Sequence, residues 1–203
     1  MSHPGLSMQH FRDLAKARIT SILTPIANVL RRFHVTANQV SFVGLVLSLS
    51  AAVLVANGHA AVGGGLFLFA CSFDLVDGAL ARLERSDRRL GAFIDSTVDR
   101  ISEGAVLAAI SYRFALDGEA LLAALVVIAL LTCGLVSYTR ARAEGLGISC
   151  KIGLLTRAER VVLVAGGLLF GVMPYALFLL IALSTVTVWQ RVAYTARMLN
   201  SDK

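Results

Sequence analysis

The feature that most constrains this chain is a series of long apolar stretches separated by short polar breaks. A helix needs about 20 apolar residues to cross about 30 Å of hydrocarbon, and several of these stretches approach or exceed that length. Because 57% of the 203 residues are apolar and only 16% are charged, a water-soluble fold could not bury so much apolar surface. We therefore expect a single all-α integral membrane domain over residues 1–203.

The breaks between the apolar stretches predict six transmembrane helices, which form a bundle over residues 38–198. The first begins at Asn38 and ends in the turn-forming sequence Asn57-Gly58-His59. The six predicted crossings are residues 38–57, 60–83, 90–116, 120–143, 157–172 and 175–198. An even number of crossings places both termini on the same side of the membrane.

Residues 8–33 show a different pattern, in which apolar positions such as Phe11 and Leu14 alternate with basic positions such as Arg12 and Lys16. This pattern predicts an N-terminal amphipathic juxtamembrane helix that lies on the membrane surface, and a solvated first helix is the alternative. The N-terminus lacks the apolar core and cleavage site of a secretory signal. We expect this segment to stay in the mature protein.

The positions of the basic residues predict the orientation of the bundle. Lys and Arg concentrate in short cytoplasmic loops of membrane proteins. If the N-terminus is cytoplasmic, all of the 19 Lys and Arg residues except Arg113 fall at or near the inner side. We expect a multi-pass cell-membrane protein whose active site and termini face the cytoplasm. The net charge of +6 is then explained by topology and anionic lipid head groups, without a nucleic-acid partner.

Two pairs of carboxylates lie at helical spacing near the junction of the second and third predicted crossings. Asp74 and Asp77 are three residues apart and therefore share one face of the second helix. Asp95 and Asp99 are four residues apart and share one face of the third. The loop between these helices is short enough to fold them antiparallel, and it carries Arg82, Arg85, Arg88 and Arg89. The four carboxylates are expected to converge near the inner membrane surface.

Four clustered carboxylates in a partly dehydrated site repel one another, and each carries an energetic cost inside a membrane. A site with oxygen ligands and no His or Cys favours a hard cation. We expect two Mg²⁺ ions, with Mn²⁺ or Ca²⁺ as alternatives, because two ions suit the carboxylate count and phosphoryl transfer. The predicted metal ligands are Asp74, Asp77, Asp95 and Asp99. In the alternative interpretation, these carboxylates only form ion pairs with the loop arginines and Arg100.

Residues 74–99 read DLVDGALARLERSDRRLGAFIDSTVD, which fits D-x-x-D-G-x-x-A-R, eight residues, then G-x-x-x-D-x-x-x-D at every fixed position. This resembles the signature of the CDP-alcohol phosphatidyltransferases, membrane enzymes that join a CDP-activated lipid to an alcohol and release CMP. The six-crossing hydropathy agrees with the resemblance over nearly the whole chain. The small residues Gly78, Ala81 and Gly91 favour a ligand cleft beside the acids, and ordinary helix packing is the alternative.

The resemblance implies roles for individual residues. Asp74, Asp77 and Asp95 are expected to hold the metal ions, and Asp99 to contact a metal and act as the general base. Arg82 is expected to offer a fixed positive fork to phosphate oxygens. The complete CDP-lipid site implied by the resemblance consists of Thr36, Ala37, Asn38, Gln39, Gly78, Arg82 and Arg88. Many members of the family have Pro where this chain has Ala37.

Two further segments, VSYTRARAEGLG and GLLTRAERVV, are similar to segments of the actinobacterial subfamily that makes phosphatidylinositol phosphate from inositol phosphate. The similarity implies an acceptor-phosphate site formed by Arg140, Arg157, Arg160 and Arg191. A cluster of cations beside the carboxylates suits an acceptor that already carries a phosphate. Simple positive-inside flanking is the alternative explanation for these arginines.

The sequence thus predicts a homodimeric enzyme that transfers a phosphatidyl group from CDP-diacylglycerol to myo-inositol phosphate. Glycerol 3-phosphate as the acceptor, or an archaeal ether-linked CDP lipid as the donor, is the alternative within the family. A cation transporter is the alternative from another class, and it predicts acids near the bilayer midplane on several crossings. The acids of this chain cluster instead around one predicted helical hairpin.

Overall fold

The computed structural model describes residues 25–83 and 88–201, and within these ranges the fold is all-helical and contains no strand. Its helices of 13 or more residues are α1 (Ala37–Ala56), α2 (Ala60–Leu83), α3 (Arg88–Leu116), α4 (Ala120–Gly145), α5 (Arg157–Leu169) and α6 (Met173–Ser201). A shorter helical segment, residues 25–32, precedes α1. Residues 8–24 of the predicted juxtamembrane helix lie outside the described residues, so that helix stays a prediction.

Four of these helices, α1, α2, α4 and α6, are long and apolar enough to cross a membrane. Helix α3 has 29 residues, but its first half carries several charged side chains. Helix α5 has 13 residues, which corresponds to about 20 Å at 1.5 Å per residue and is less than the ~30 Å of a hydrocarbon core. The fold is that of a multi-pass membrane protein with four candidate spans, and six crossings are not confirmed.

Large apolar side chains cover the outside of the bundle. Leu121 is 73% exposed, Trp189 69% and Phe170 78%. In a water-soluble monomer such a surface would promote association or aggregation, whereas lipid tails are as apolar as these side chains and solvate them. The distribution of apolar residues therefore agrees with a bilayer around the helices.

Two capping boxes fix the first residues of α1 and α5. At α1, Thr36 Oγ1 accepts a hydrogen bond from the Gln39 amide at 3.3 Å, and Gln39 Oε1 accepts one from the Thr36 amide at 2.9 Å. At α5, Glu159 Oε2 accepts a hydrogen bond from the Thr156 amide at 2.8 Å. Each cap satisfies amide groups that the first helical turn leaves free. The caps thereby fix the residue at which each helix begins, and with it the orientation of the side chains in the first turn.

Small residues let α2 pack closely against two neighbours. A Cβ atom at Gly63 would lie 2.9 Å from the carbonyl oxygen of Ala51 in α1, and one at Gly64 would lie 3.1 Å from that of Ala165 in α5. Glycine is therefore required at both positions for the backbones to approach this closely. Helix α2 is held between α1 and α5, which fixes the carboxylates at its C-terminal end.

Helices α2 and α3 each pack against α1 but touch one another at few points. The predicted hairpin is therefore splayed, and a cleft opens between its two acidic faces. The basic loop is also shorter than predicted, because Arg88 and Arg89 belong to the first turn of α3 and arginine is a good helix former. Residues 84–87, which include Arg85, lie outside the described residues.

Candidate active site

A cavity of about 540 Å³ lies between α1, α2, α3 and the first turn of α5. Its size is within the range of ligand pockets in proteins. The cavity wall contains predicted site residues from all four helices, namely Thr36, Ala37, Asn38, Asp74, Asp77, Gly78, Arg82, Asp95 and Arg157. Ser41, Ala81, Leu90, Gly91 and Ala92 complete the wall.

Three carboxylates meet at the inner part of this cleft. Asp74 of α2 and Asp95 and Asp99 of α3 each offer one oxygen atom, and these atoms lie within 4.8 Å of one another. The spacing predicted that each helix would present its acids on one face, and the structure brings three of these carboxylates together from the two helices. An all-carboxylate donor set of this size suits a hard divalent cation.

A buried oxygen atom of Asp99 gives a second indication that a cation fits here. Asp99 is 8% exposed, and its Oδ1 atom receives no aligned hydrogen bond from any described residue. A buried polar atom without a hydrogen bond is costly and uncommon in native proteins. The unsatisfied oxygen and the donor chemistry of the group both fit a divalent metal ion.

Asp77 lies outside the group of three but lines the same cavity. It is 4% exposed, and its Oδ2 atom accepts a hydrogen bond of 2.5 Å from the Ser41 hydroxyl of α1. Sequence reasoning did not find Ser41. The available signal was its spacing, since Ser41 follows Ala37 by one helical turn and so shares its face.

Arg157 bridges the cleft from the first turn of α5. Its Nη1 atom donates a hydrogen bond to Asp74 Oδ2, and its Nη2 atom lies 2.9 Å from Asp99 Oδ1. The resemblance assigned Arg157 to the acceptor phosphate, whereas the structure places its guanidinium among the carboxylates. The more exposed Arg100 lies 4.0 Å from Asp99. Arg157 and Arg100 thus supply two positive charges near the three carboxylates.

The residues predicted to bind the CDP-lipid divide into two groups. Thr36, Ala37, Asn38, Gly78 and Arg82 line the cavity. Gln39 caps α1 instead, and Arg88 is the first residue of α3; its side chain lies outside what the structure describes.

Glycine positions distinguish a ligand cleft from helix packing. A Cβ atom at Gly78 or at Gly91 would meet no atom of the described residues within 4 Å. These two residues border open space, in contrast to Gly63 and Gly64, which press against neighbouring helices. Packing among the described helices therefore does not explain Gly78 and Gly91, and both residues line the cavity.

The other three predicted acceptor residues do not line the cavity. Arg160 is 2% exposed and donates two hydrogen bonds to Glu103, from Nε at 2.6 Å and from Nη2 at 2.8 Å. Arg191 is 4% exposed and donates to backbone carbonyls, from Nε to Ile152 at 2.9 Å and from Nη1 to Val136. Arg140 pairs on the surface with Glu144, from Nε to Oε1 at 2.9 Å. Each of these three side chains thus already has a protein partner, an acid for Arg140 and Arg160 and backbone carbonyls for Arg191.

Known proteins are similar in sequence to this chain over most of its length. Residues 34–197 match the sequence model of the CDP-alcohol phosphatidyltransferases. The chain is 36% identical to the phosphatidylinositol phosphate synthase of Mycobacteroides abscessus, over 88% of this chain and 85% of that protein. It is 34% identical to the archaetidylinositol phosphate synthase of Methanothermobacter thermautotrophicus, over 87% of this chain and 89% of that protein.

Two crystal structures of the phosphatidylinositol phosphate synthase of Mycobacterium tuberculosis are similar to this chain at 32% sequence identity. The structure with CDP-DAG bound has a TM-score of 0.79 and covers 86% of this chain and 94% of that one. The structure in complex with manganese and citrate has a TM-score of 0.77 and covers 85% and 88%.

Proposed function

The chain belongs to the CDP-alcohol phosphatidyltransferase family, and we propose that it transfers a phosphatidyl group from CDP-diacylglycerol to myo-inositol phosphate. The products are phosphatidylinositol phosphate and CMP. The observation that carries this proposal is the cleft between α2 and α3, where three carboxylates meet beside small residues that border open space. The relatives named phosphatidylinositol phosphate synthase support the choice of substrates.

Asp74, Asp77, Asp95 and Asp99 hold two Mg²⁺ ions in this proposal. The group of three carboxylates and the unsatisfied Asp99 oxygen support it, as does the related structure in complex with manganese. When bound, the cations neutralise pyrophosphate oxygens and stabilise the charge that develops on the leaving CMP. Asp77, held by Ser41 on the side of α1, contributes to the second ion.

The CDP-lipid occupies the cavity with its nucleotide against the N-terminal end of α1 and the face of α2. Thr36, Ala37 and Asn38 line one wall, and Gly78 lets the ligand approach the backbone of α2. Arg82 directs its guanidinium fork to phosphate oxygens. Gln39 and Arg88 complete the predicted site, Gln39 by fixing the first turn of α1.

Asp99 is the general base. The acceptor hydroxyl attacks the phosphorus atom of the phosphatidyl group, a new P–O bond forms, and the bond from phosphorus to the CMP oxygen breaks. Asp99 takes the proton from the attacking hydroxyl. Asp99 is buried in α3, and its Oδ1 atom receives no aligned hydrogen bond although Arg157 Nη2 lies 2.9 Å away. Both observations support this role, since a base must be within hydrogen-bond reach of the proton it removes.

The acceptor phosphate binds in the cationic region formed by Arg140, Arg157, Arg160 and Arg191. Arg157 is the member that reaches the cavity. Glu103 and the carbonyls of Val136 and Ile152 hold the other buried arginines in fixed positions. Cations concentrated here favour a phosphorylated acceptor over a neutral alcohol.

The chain forms a single domain of six crossings, with the active site and both termini in the cytoplasm, and it acts as a homodimer. The family match over residues 34–197 supports one domain. The charged first half of α3 and the short α5 support a cleft near one membrane face, and the positive-inside rule supports a cytoplasmic orientation of that face. A cation transporter would need acidic residues along a path across the membrane, whereas Asp74, Asp95 and Asp99 form one cluster.

The test uses purified protein, Mg²⁺ and radiolabelled CDP-diacylglycerol with one acceptor at a time. We expect lipid product with myo-inositol phosphate, and none with myo-inositol or glycerol 3-phosphate. A parallel series with an ether-linked CDP lipid decides the donor. Product formed with glycerol 3-phosphate alone would overturn the choice of acceptor, and no product with any acceptor would overturn the proposed activity.

A further inference from the structure

Arg157 and a divalent cation would use the same carboxylates. Arg157 contacts Asp74 and Asp99 from two different helices, and both residues belong to the group of three whose oxygen atoms lie within 4.8 Å. A guanidinium and a divalent ion repel one another at such short range. The two cannot both keep their full set of contacts in the cleft.

The charges in the cleft also favour either Arg157 or divalent ions beside the carboxylates, but not both together. Asp74, Asp77, Asp95 and Asp99 together carry four negative charges when ionised, which two divalent ions would balance. With Arg157 inserted as well, the positive charge would exceed the negative charge. Two bound divalent ions would therefore compete with Arg157 for Asp74 and Asp99.

The contacts of Arg157 are incomplete in a way that suits exchange. Its Nε atom is buried and has no hydrogen-bond partner among the described residues, and the facing Asp99 Oδ1 receives no aligned hydrogen bond. Arg160, one turn further along α5, differs, because both its Nε and Nη2 atoms bond to the two oxygens of Glu103. The Arg160 pair is a closed structural contact, whereas the Arg157 contact leaves buried groups unsatisfied on both sides.

We propose that Arg157 is a built-in counter-cation that occupies Asp74 and Asp99 until divalent ions displace it, and that its freed guanidinium then binds a phosphate group in the same cavity. The inference rests on the proposed function for its metal site and its phosphorylated substrate. Arg157 lines the cavity, so a small rotation of its side chain keeps it within reach of a ligand there. Metal binding and phosphate binding are thereby coupled.

The first experiment measures Mn²⁺ binding to the purified protein without substrates, by the loss of the free-ion signal in electron paramagnetic resonance. Removal of the competing charge in Arg157→Gln should tighten Mn²⁺ binding by on the order of tenfold, as expected for one charge at this distance. The same variant without metal should melt at a lower temperature than the wild type. Arg113→Gln removes a distant arginine that pairs with Asp117, and it should leave Mn²⁺ affinity unchanged.

If Arg157→Gln does not fold, Arg157→Lys replaces it, because lysine keeps the charge but lacks the planar guanidinium whose two Nη atoms reach Asp74 and Asp99 separately. It should also bind Mn²⁺ more tightly than the wild type. Equal or weaker Mn²⁺ binding by the folded variant would overturn the inference. If the wild type binds Mn²⁺ and makes product but the variant has the same Mn²⁺ affinity, only the counter-cation role of Arg157 is refuted. Absence of both Mn²⁺ binding and product would refute the proposed function as well.

The second experiment measures the binding of myo-inositol phosphate by calorimetry with and without Mn²⁺. The wild type should bind this ligand several-fold more tightly with the metal, since the metal releases Arg157. The gain should be smaller in Arg157→Gln. An equal gain in both proteins would show that the freed guanidinium does not bind the phosphate.

Discussion

Two arginines one turn apart on α5 meet carboxylates in opposite ways. Arg160 and Glu103 form a buried pair with two aligned hydrogen bonds, and their side chains are 3% and 9% exposed. Arg157 faces the cleft, where its side chain is 24% exposed and contacts both Asp74 and Asp99. Its Nε atom and Asp99 Oδ1 are buried there without an aligned hydrogen bond. The same residue type on the same helix thus forms a closed buried ion pair at one position and faces the cavity at the other.

The difference shows how charge balance separates structure from function inside a membrane protein. A buried ion pair is tolerated when its geometry is good and hydrogen bonds join the partners, as the two bonds between Arg160 and Glu103 do. The cleft holds more negative charge than its arginine can neutralise, so it favours further cations. One helical turn therefore separates a closed ion pair from a cleft whose charge favours further cations.

The largest expected effect belongs to the cleft side of this comparison. Replacement of Asp99 by Asn removes the proton acceptor and should lower the rate of CMP release by about 10²–10⁴-fold, while CDP-diacylglycerol still binds. Asp117→Asn, at the other end of α3, is the matched control and should retain activity. Near wild-type turnover by Asp99→Asn would remove the assignment of the base.

Glu103→Gln tests the structural side. The substitution leaves Arg160 buried without a balancing charge, which should lower the free energy of unfolding by about 3–5 kcal/mol. The double replacement of Glu103 by Leu and Arg160 by Met should recover much of that loss, because no buried charge remains. Denaturation curves in detergent measure both effects. A Glu103→Gln variant as stable as the wild type would mean that this pair does not support the fold.

Two glycines of α2 sharpen the same division. Gly64→Ala should destabilise the protein by about 1–3 kcal/mol, because the new Cβ would lie 2.7 Å from Leu168 Cβ. Gly78→Ala places its Cβ in open space among the described residues, so it should fold normally and bind CDP-diacylglycerol more weakly. Thermal melting and calorimetry separate the two outcomes. Unchanged CDP-lipid affinity in Gly78→Ala would place the nucleotide elsewhere.

The smallest effect is expected at the surface pair of Arg140 and Glu144. Glu144→Gln should change the free energy of unfolding by less than about 0.5 kcal/mol, because exposed pairs four residues apart contribute little. It is the matched control for Glu103→Gln. A loss comparable to that of Glu103→Gln would show that burial does not distinguish the two pairs.

Local patterns in the sequence predicted much of the fold and of the site. Apolar periodicity located the helices to within a few residues. The spacing of the four acids predicted that they converge; the structure groups Asp74, Asp95 and Asp99, and Asp77 lines the same cavity outside that group. Such features depend on positions close in sequence. The length of α5 was harder to predict, because the apolar stretch continues past Leu169 although the helix ends there.

Contacts between distant segments could not be predicted in the same way. Arg157 reaches Asp74 across 83 positions, and Ser41 reaches Asp77 across 36. Separations of this size do not follow from helical periodicity, so the sequence pattern could not predict either contact. The resemblance had assigned Arg157 to the acceptor phosphate. The partner of Arg160 is likewise decided by how α3 and α5 pack. The predicted roles of Arg140, Arg160 and Arg191 in acceptor binding remain predictions.

The most direct test of the central claim is an anomalous-scattering map from crystals grown with Mn²⁺ and a CDP compound. The account predicts Mn²⁺ peaks between α2 and α3, coordinated by Asp74, Asp95 and Asp99, with Arg157 withdrawn from those carboxylates. Mn²⁺ peaks elsewhere in the protein, with these carboxylates still paired to Arg157 while the CDP compound is bound, would contradict it.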